Sequence, residues 1–256
     1  MIPVSTRTTC LFIILLATIL LTGCNEVEMQ SQWRTKPIAM DGSRAGWPED
    51  VQYFDKDSRM LVSIMNDENN LYIRLLTRSE TTKRMFLRAG FTIWIDDTGD
   101  TEKNFGVQFP LAGQSRMRGT IPDHKPRTGL QENLVDSQYN LAILNGPGGN
   151  RQTMPIPKAV EMGIYAGLSM QQSHLIYELQ VPLTASKNNK TIGIGFETGK
   201  LERPAGKGSS GSGGRGGGRG GGGRGGGGGK GGQHGGGGPE SIEIWTKVHL
   251  AEKTTT

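Results

Sequence analysis

Phe91-Thr-Ile-Trp-Ile-Asp96 alternates apolar and polar side chains without a break, and most of the chain repeats that rhythm in short runs separated by turn residues. Alternation with a period of two is what a half-buried strand requires, because successive side chains leave opposite faces of the backbone. Further apolar-rich runs are Arg59–Met65, Leu71–Thr77, Phe105–Leu111, Ala159–Ser169, His174–Leu183, Thr191–Leu201 and Ile242–Leu250. The polar stretch Asn66-Asp67-Glu68-Asn69-Asn70 predicts a hairpin between the first two of these, and a turn at Gly99 separates Phe91–Asp96 from Phe105–Leu111. One short helix is predicted at Glu80–Arg88, where Thr81, Arg84, Met85 and Arg88 fall at helical spacing before Gly90. Gln114–Met154 is rich in Gly, Pro, Asn and Arg and receives no assignment. Eight or nine strands with little helix predict a mainly β chain, an antiparallel β-sandwich spanning 33–250.

Residues 205–238 hold 23 of the 40 glycines, with Lys207, Arg215, Arg219, Arg224 and Lys230 and no acid. So few side chains cannot build a core, so the sequence predicts a disordered Gly/Arg-rich insertion before the last strand. The net charge of +5 is local: without those five residues and Arg7 the rest of the chain sums to −1. Arginines spaced by glycines are also found in RNA-binding segments, but no aromatic residue is present for base stacking, and no nucleic-acid partner is expected. A solvated loop or an electrostatic contact with anionic surface groups remains.

At the other end, an apolar run from Leu11 to Leu21 follows Arg7 and stops at Leu21-Thr22-Gly23-Cys24. That is too short to span a bilayer and has the layout of an export signal over residues 1–23. The last four residues resemble the lipobox of bacterial lipoproteins. The resemblance implies diacylglycerol on Cys24, a membrane partner through that lipid, and 24–32 as anchor and short tether. Asn25 after the cysteine favours the outer membrane where the source has two. The mature chain then has no second cysteine, so neither an intramolecular disulfide nor a cysteine-based zinc site is available. Residues 251–256 read as a tail.

Four motifs resemble the sandwich of family-nine carbohydrate-binding modules and DOMON-type domains. They are Ile38-Ala-Met-Asp-Gly42 with Trp47; Met65-Asn66-Asp67 with Asn70–Arg74; Gly90–Asp96; and Tyr177–Leu183. The resemblance implies a non-catalytic binding or envelope-associated module, with a carbohydrate or an envelope protein as partner. Strand alternation puts Trp94, Tyr72, Arg74, Trp245 and Glu243 on the strand faces away from the predicted core. Aromatic faces suit the C–H face of a sugar and charged groups its hydroxyls; alternatively, Trp94 and Trp245 simply cover the sheet. Trp33 and Trp47 form either an edge seal or a ligand clamp. Asp96, Asp97 and Asp100 read as a calcium site or as an ordinary hairpin turn. Glu178 and Glu197, on separate strands, are the one candidate glycosidase pair. A haem or redox cofactor would need axial ligands, and His124, His174, His234 and His249 show no ligand-like spacing. No G-x-S-x-G elbow is present, and the chain is not expected to be an enzyme.

Overall fold

The computed structural model describes residues 27–113, 138–183, 190–201 and 241–253. Two sheets pack face to face as a β-sandwich. Thirteen strands occur among the described residues, with β1 (Val27–Gln30) and β2 (Gln32–Trp33) at the start of the chain. β3 (Tyr53–Asp55), β4 (Met60–Asn66) and β5 (Asn70–Thr77) follow, then β6 (Phe91–Asp96) and β7 (Phe105–Gln108). After these come β8 (Asn140–Gly146), β9 (Gly149–Pro155), β10 (Tyr165–Gln171), β11 (His174–Pro182), β12 (Thr191–Thr198) and β13 (Glu243–His249). The seven-stranded sheet runs β1-β13-β12-β6-β7-β8-β9 and the six-stranded sheet β10-β11-β5-β4-β2, with β3 also paired to β4. All pairings are antiparallel except β1 with β13 and β2 with β4. One end of the sandwich carries Glu243, Thr198, Phe91, Thr77 and Met60; the opposite end carries His249, Thr191, Asp96, Asn70 and Asn66.

The predicted hairpin over 66–70 is present, and Phe91 and Ile93 point into the core as their alternation requires. Phe91 of one sheet stacks on Phe86 at 3.8 Å and meets Tyr177 of the other edge-on at 5.2 Å. These contacts join the sheets across their full thickness. Helix α1 (Glu80–Arg84) continues into a π-helical turn, Met85–Ala89, and carries the chain from β5 of one sheet to β6 of the other. Ser79 caps it by accepting from the Thr82 amide at 3.3 Å. Gly90 ends it at φ +80°, where a Cβ would lie 2.9 Å from the Ala112 nitrogen.

Three readings of the sequence are corrected. Ala159–Ser169 is not one strand: α2 (Ile156–Glu161), with Pro157 in its first turn, precedes β10, and Gly163 at φ +81° lies between them. The unassigned stretch contains β8 and β9; β9 is an exposed edge strand, so it lacks an apolar face to betray it. Residues 27–32 are not a tether, because β1 and β2 join the edges of both sheets and the chain crosses between them at Ser31. The export signal, Cys24 and the Gly/Arg-rich insertion lie outside the described residues. The flanks of that insertion, β12 and β13, are hydrogen-bonded neighbours, pinned by Thr198 N–H donating to the Ile242 carbonyl at 2.9 Å.

The crossing is held by a clasp. Ser31 Oγ donates to Asn66 Oδ1, the Ala251 N–H donates to Ser31 Oγ at 2.8 Å, and Asn66 Nδ2 donates to the Ala251 carbonyl at 3.0 Å. Ala251 therefore belongs to the fold and not to a tail. Removing one partner of a buried network strands the others, at about 1–3 kcal/mol for each orphaned group. Asn66→Ala is expected to lower unfolding stability by about 2–3 kcal/mol, read as a reduced denaturant midpoint with an unchanged slope.

Candidate functional site

The outer faces of the two sheets differ in what covers them. On the six-stranded sheet, Arg74 of β5 faces Glu178 of β11 in register, and both side chains are almost fully buried, 4% and 3% exposed. The segment between β2 and β3 lies across them. Gly42 donates its N–H to Glu178 Oε2 at 2.8 Å, and its carbonyl accepts from Arg74 Nη2 at 2.9 Å. Gly42 has φ +81°, and a Cβ there would sit 2.0 Å from Ser169 Oγ, so no other residue fits. Trp47 packs over the Arg74 guanidinium at 5.7 Å and, with Met65 and Tyr72, forms a small second core backed by Ile38 and Met40. Tyr165 Oη donates to the Met40 carbonyl. Burial pushes the Glu178 carboxyl up, against the Gly42 amide and Arg74, which hold it down. Burial and the bond to Asp67 push the Tyr72 phenol up to about 12.

The seven-stranded sheet exposes a different surface. Its outer side chains on β12 are Gly193, Gly195 and Glu197, and register places Trp245, Gly195, Trp94 and Gly106 in one row across β13, β12, β6 and β7. Three atoms of the Trp245 ring would lie 2.8–2.9 Å from a Cβ on Gly195, so the indole rests on that glycine's backbone. Trp94 rests on Gly106 in the same way, with two ring atoms 2.7 Å from the Cβ position. The two indoles are thus seated two strand spacings apart, roughly 10 Å.

Charged groups border this row. Trp94 Nε1 donates to Glu197 Oε2 at 2.6 Å, and Lys103 Nζ donates to the same oxygen at 2.7 Å. Lys103 also lies 3.4 Å from Glu243 Oε1 and 5.6 Å from the centre of the Trp94 ring. The hydrogen bond to Glu197 holds the Lys103 ammonium above its ordinary pKa. Trp94 is 9% exposed beneath this arrangement and Trp245 is half-buried, while the Lys103 and Glu243 side chains are 42% and 56% exposed.

Asp96 shapes the loop that delivers Lys103. Its carboxylate accepts from Thr98 N at 3.0 Å, Thr98 Oγ1 at 2.7 Å, Asn104 Nδ2 at 2.8 Å, and the Asp100 and Glu102 amides at 2.9 Å each. Burial alone would push this carboxyl up, but the donors of Glu102, Thr98 and Asn104 outweigh it and hold it below its ordinary value. The loop folds back over the sheet, where Thr101 packs on Gly193.

Several of the predicted groupings are not brought together. Tyr72 and Arg74 lie on the other sheet, beneath the 34–52 segment, and share no face with Trp94, Trp245 and Glu243. Glu178 and Glu197 are likewise on opposite outer faces and cannot flank one glycosidic bond. Asp96, Asp97 and Asp100 lie in the turn between β6 and β7, where Asp96 accepts from the donors of its own loop. His174 and His249 are on different sheets, and His124 and His234 lie outside the described residues. Trp33 and Trp47 do not clamp anything between them: Trp33 lines a shallow polar cleft with Arg34, Asp67 and Lys253, while Trp47 closes the small second core. Lys103 was missed, and Glu197 was read only as half of a glycosidase pair and not as a neighbour of Trp94. The run Gly193-Ile-Gly-Phe196 carried the signal for this face, since small outer residues beside a tryptophan mark a seat for its ring.

The fold and this surface define a β-sandwich with one covered and one decorated face. No family model matches this chain, and no curated protein matches it. Among solved structures it is similar to a carbohydrate-binding module of family 9 from Caldicellulosiruptor kristjanssonii in complex with glucose. That match has 12% identity, covers 68% of this chain and 79% of the other, and has a TM-score of 0.34. A complex of a family 9 module from the same organism with cellotriose matches at 12% identity over 66% and 75% of the two chains, with a TM-score of 0.33.

The Asp96 loop yields a pH prediction. A carboxyl held below its unfolded value contributes stability that is present above the ordinary pKa of 3.8 and is lost as pH falls through the depressed folded value. Asp96→Asn is expected to lower stability by about 2 kcal/mol at pH 7, with the gap to the parent closing below pH 3.8 in denaturant titrations.

Proposed function

We propose that this chain is an exported, lipid-anchored protein whose sandwich acts as a non-catalytic binding module, with a carbohydrate as the ligand of the seven-stranded sheet's outer face. The observation that carries the ligand class is the half-exposed Trp245 indole lying on Gly195 beside Glu197, Lys103 and Glu243. An indole face offers the apolar surface that the C–H face of a pyranose needs, and neighbouring carboxylates and an ammonium bond its hydroxyls. Trp94 supports the row from below and holds Glu197 in place through its Nε1–H. The Lys103 ammonium over its ring is the group a second sugar would displace. The signal-like segment ending at Cys24 supports the anchor, and Asn25 favours the outer membrane in a cell with two. The separation of Glu178 from Glu197 on opposite faces supports a role without catalysis.

Binding of the acylated protein to a glycan array is expected to be lost in Trp245→Ala, with affinity falling at least about tenfold, or about 1.4 kcal/mol. Tyr72→Phe should leave it unchanged, and so should a calcium chelator, since Asp96 is already saturated by its own loop. An array without any bound glycan, or binding that survives Trp245→Ala, overturns the carbohydrate reading.

A further inference from the structure

The two ends of the sandwich carry opposite charge. At the Glu243 end, Lys56 and Arg59 of the β3–β4 turn, Arg78, Arg84 and Arg88 around α1, and Lys200 after β12 are all exposed. Against these six cations the described residues there expose three carboxylates, Asp57, Glu80 and Glu243. At the His249 end the balance reverses, with Asp67, Glu68, Asp97, Asp100, Glu102 and Glu252. Three cations described at that end are engaged by acids: Arg34 lies 2.7 Å from Asp67 and Lys253 3.7 Å from Glu68, while Lys190 pairs with Glu252.

The direction of the chain selects one of these ends. β1 runs parallel to β13 with Val27 opposite Thr246 and Gln30 opposite His249, so the chain enters the fold from the Glu243 side. Cys24 is three residues before Val27. Three residues span at most about 10 Å, close to the distance along a strand from Thr246 to Glu243. An acyl chain on Cys24 therefore brings the headgroup plane to within about a Debye length of this part of the domain, where surface charges are still felt.

We infer that the Glu243 end is a membrane-contacting surface, its exposed Lys and Arg side chains seated against anionic lipid headgroups. This rests on the proposed anchoring at Cys24. A bare anchor would let the domain lie on its β1 edge or stand on its end; the charge asymmetry selects the end, because it presents cations to the anionic surface and turns the acidic end away. The decorated face of the seven-stranded sheet then stands along the membrane normal, open to ligands from the side.

The test uses the acylated protein, extracted from membranes and reconstituted into vesicles of phosphatidylcholine with or without phosphatidylglycerol, each containing a headgroup-linked quencher. A fluorophore is placed on Thr81→Cys at the Glu243 end or on Asn69→Cys at the other; both positions are exposed and uncharged. With phosphatidylglycerol, quenching at position 81 is expected to exceed that at position 69 several-fold. The difference should collapse at molar salt, in pure phosphatidylcholine and in the double variant Arg59→Glu/Arg84→Glu, and should persist when residues 206–237 are deleted. Equal quenching at the two positions, indifference to the anionic lipid, or loss of the effect with the deletion overturns the orientation. A chain that partitions into neither vesicle refutes the anchor, and the orientation with it.

Discussion

Arg74 and Glu178 face each other with almost no exposed surface, and two charges can stay there only because Gly42 provides an acceptor for one and a donor for the other. Desolvating either ion alone would cost several kcal/mol, more than a single salt bridge returns. The segment between β2 and β3 is therefore bound to the six-stranded sheet by the need to keep that pair satisfied. Trp47, Met40 and Ile38 seal the arrangement from solvent. From this pair follows an asymmetry among the described residues: one sheet has its outer face closed by the segment between β2 and β3, and the other carries only the loop that Asp96 holds.

The open face is made by omission as much as by decoration. Gly193, Gly195 and Gly106 remove side chains from neighbouring strands, and each vacated position is taken by something larger from elsewhere: Thr101, the Trp245 indole and the Trp94 indole. Glycine weakens a strand, so three of them on one face need a return, and here it is close ring-to-backbone contact. Lys103 reaches the same region only because Asp96 gathers five donors and folds its loop back over the sheet.

Alternation made the in-or-out sense of β5, β6 and β13 readable, since a one-residue slip would have turned Phe91 and Ile93 outward. It could not say to which sheet a strand belongs, because pairing partners are distant in sequence. Hence Tyr72 and Arg74 were grouped with Trp94 although a full sandwich thickness separates them. The run from Ala159 to Ser169 misled for another reason: apolar residues of a helix and of the following strand adjoin, and Pro157 and Gly163 were the only marks of the break. Lys103 was beyond reach, because its position depends on a loop whose course is set by hydrogen bonds to one carboxylate.

The placement of β1 and β13 has a consequence for how such a chain matures. The first of the described strands, β1, has one hydrogen-bonding partner in its sheet, and that partner is the last of them, β13. Until residues 243–249 emerge, β1 has no ladder to join, the Ser31 crossing has no Ala251 to close on, and β12 lacks its outer neighbour. The seven-stranded sheet is thus completed late, and the sandwich locks only when β1 and β13 meet.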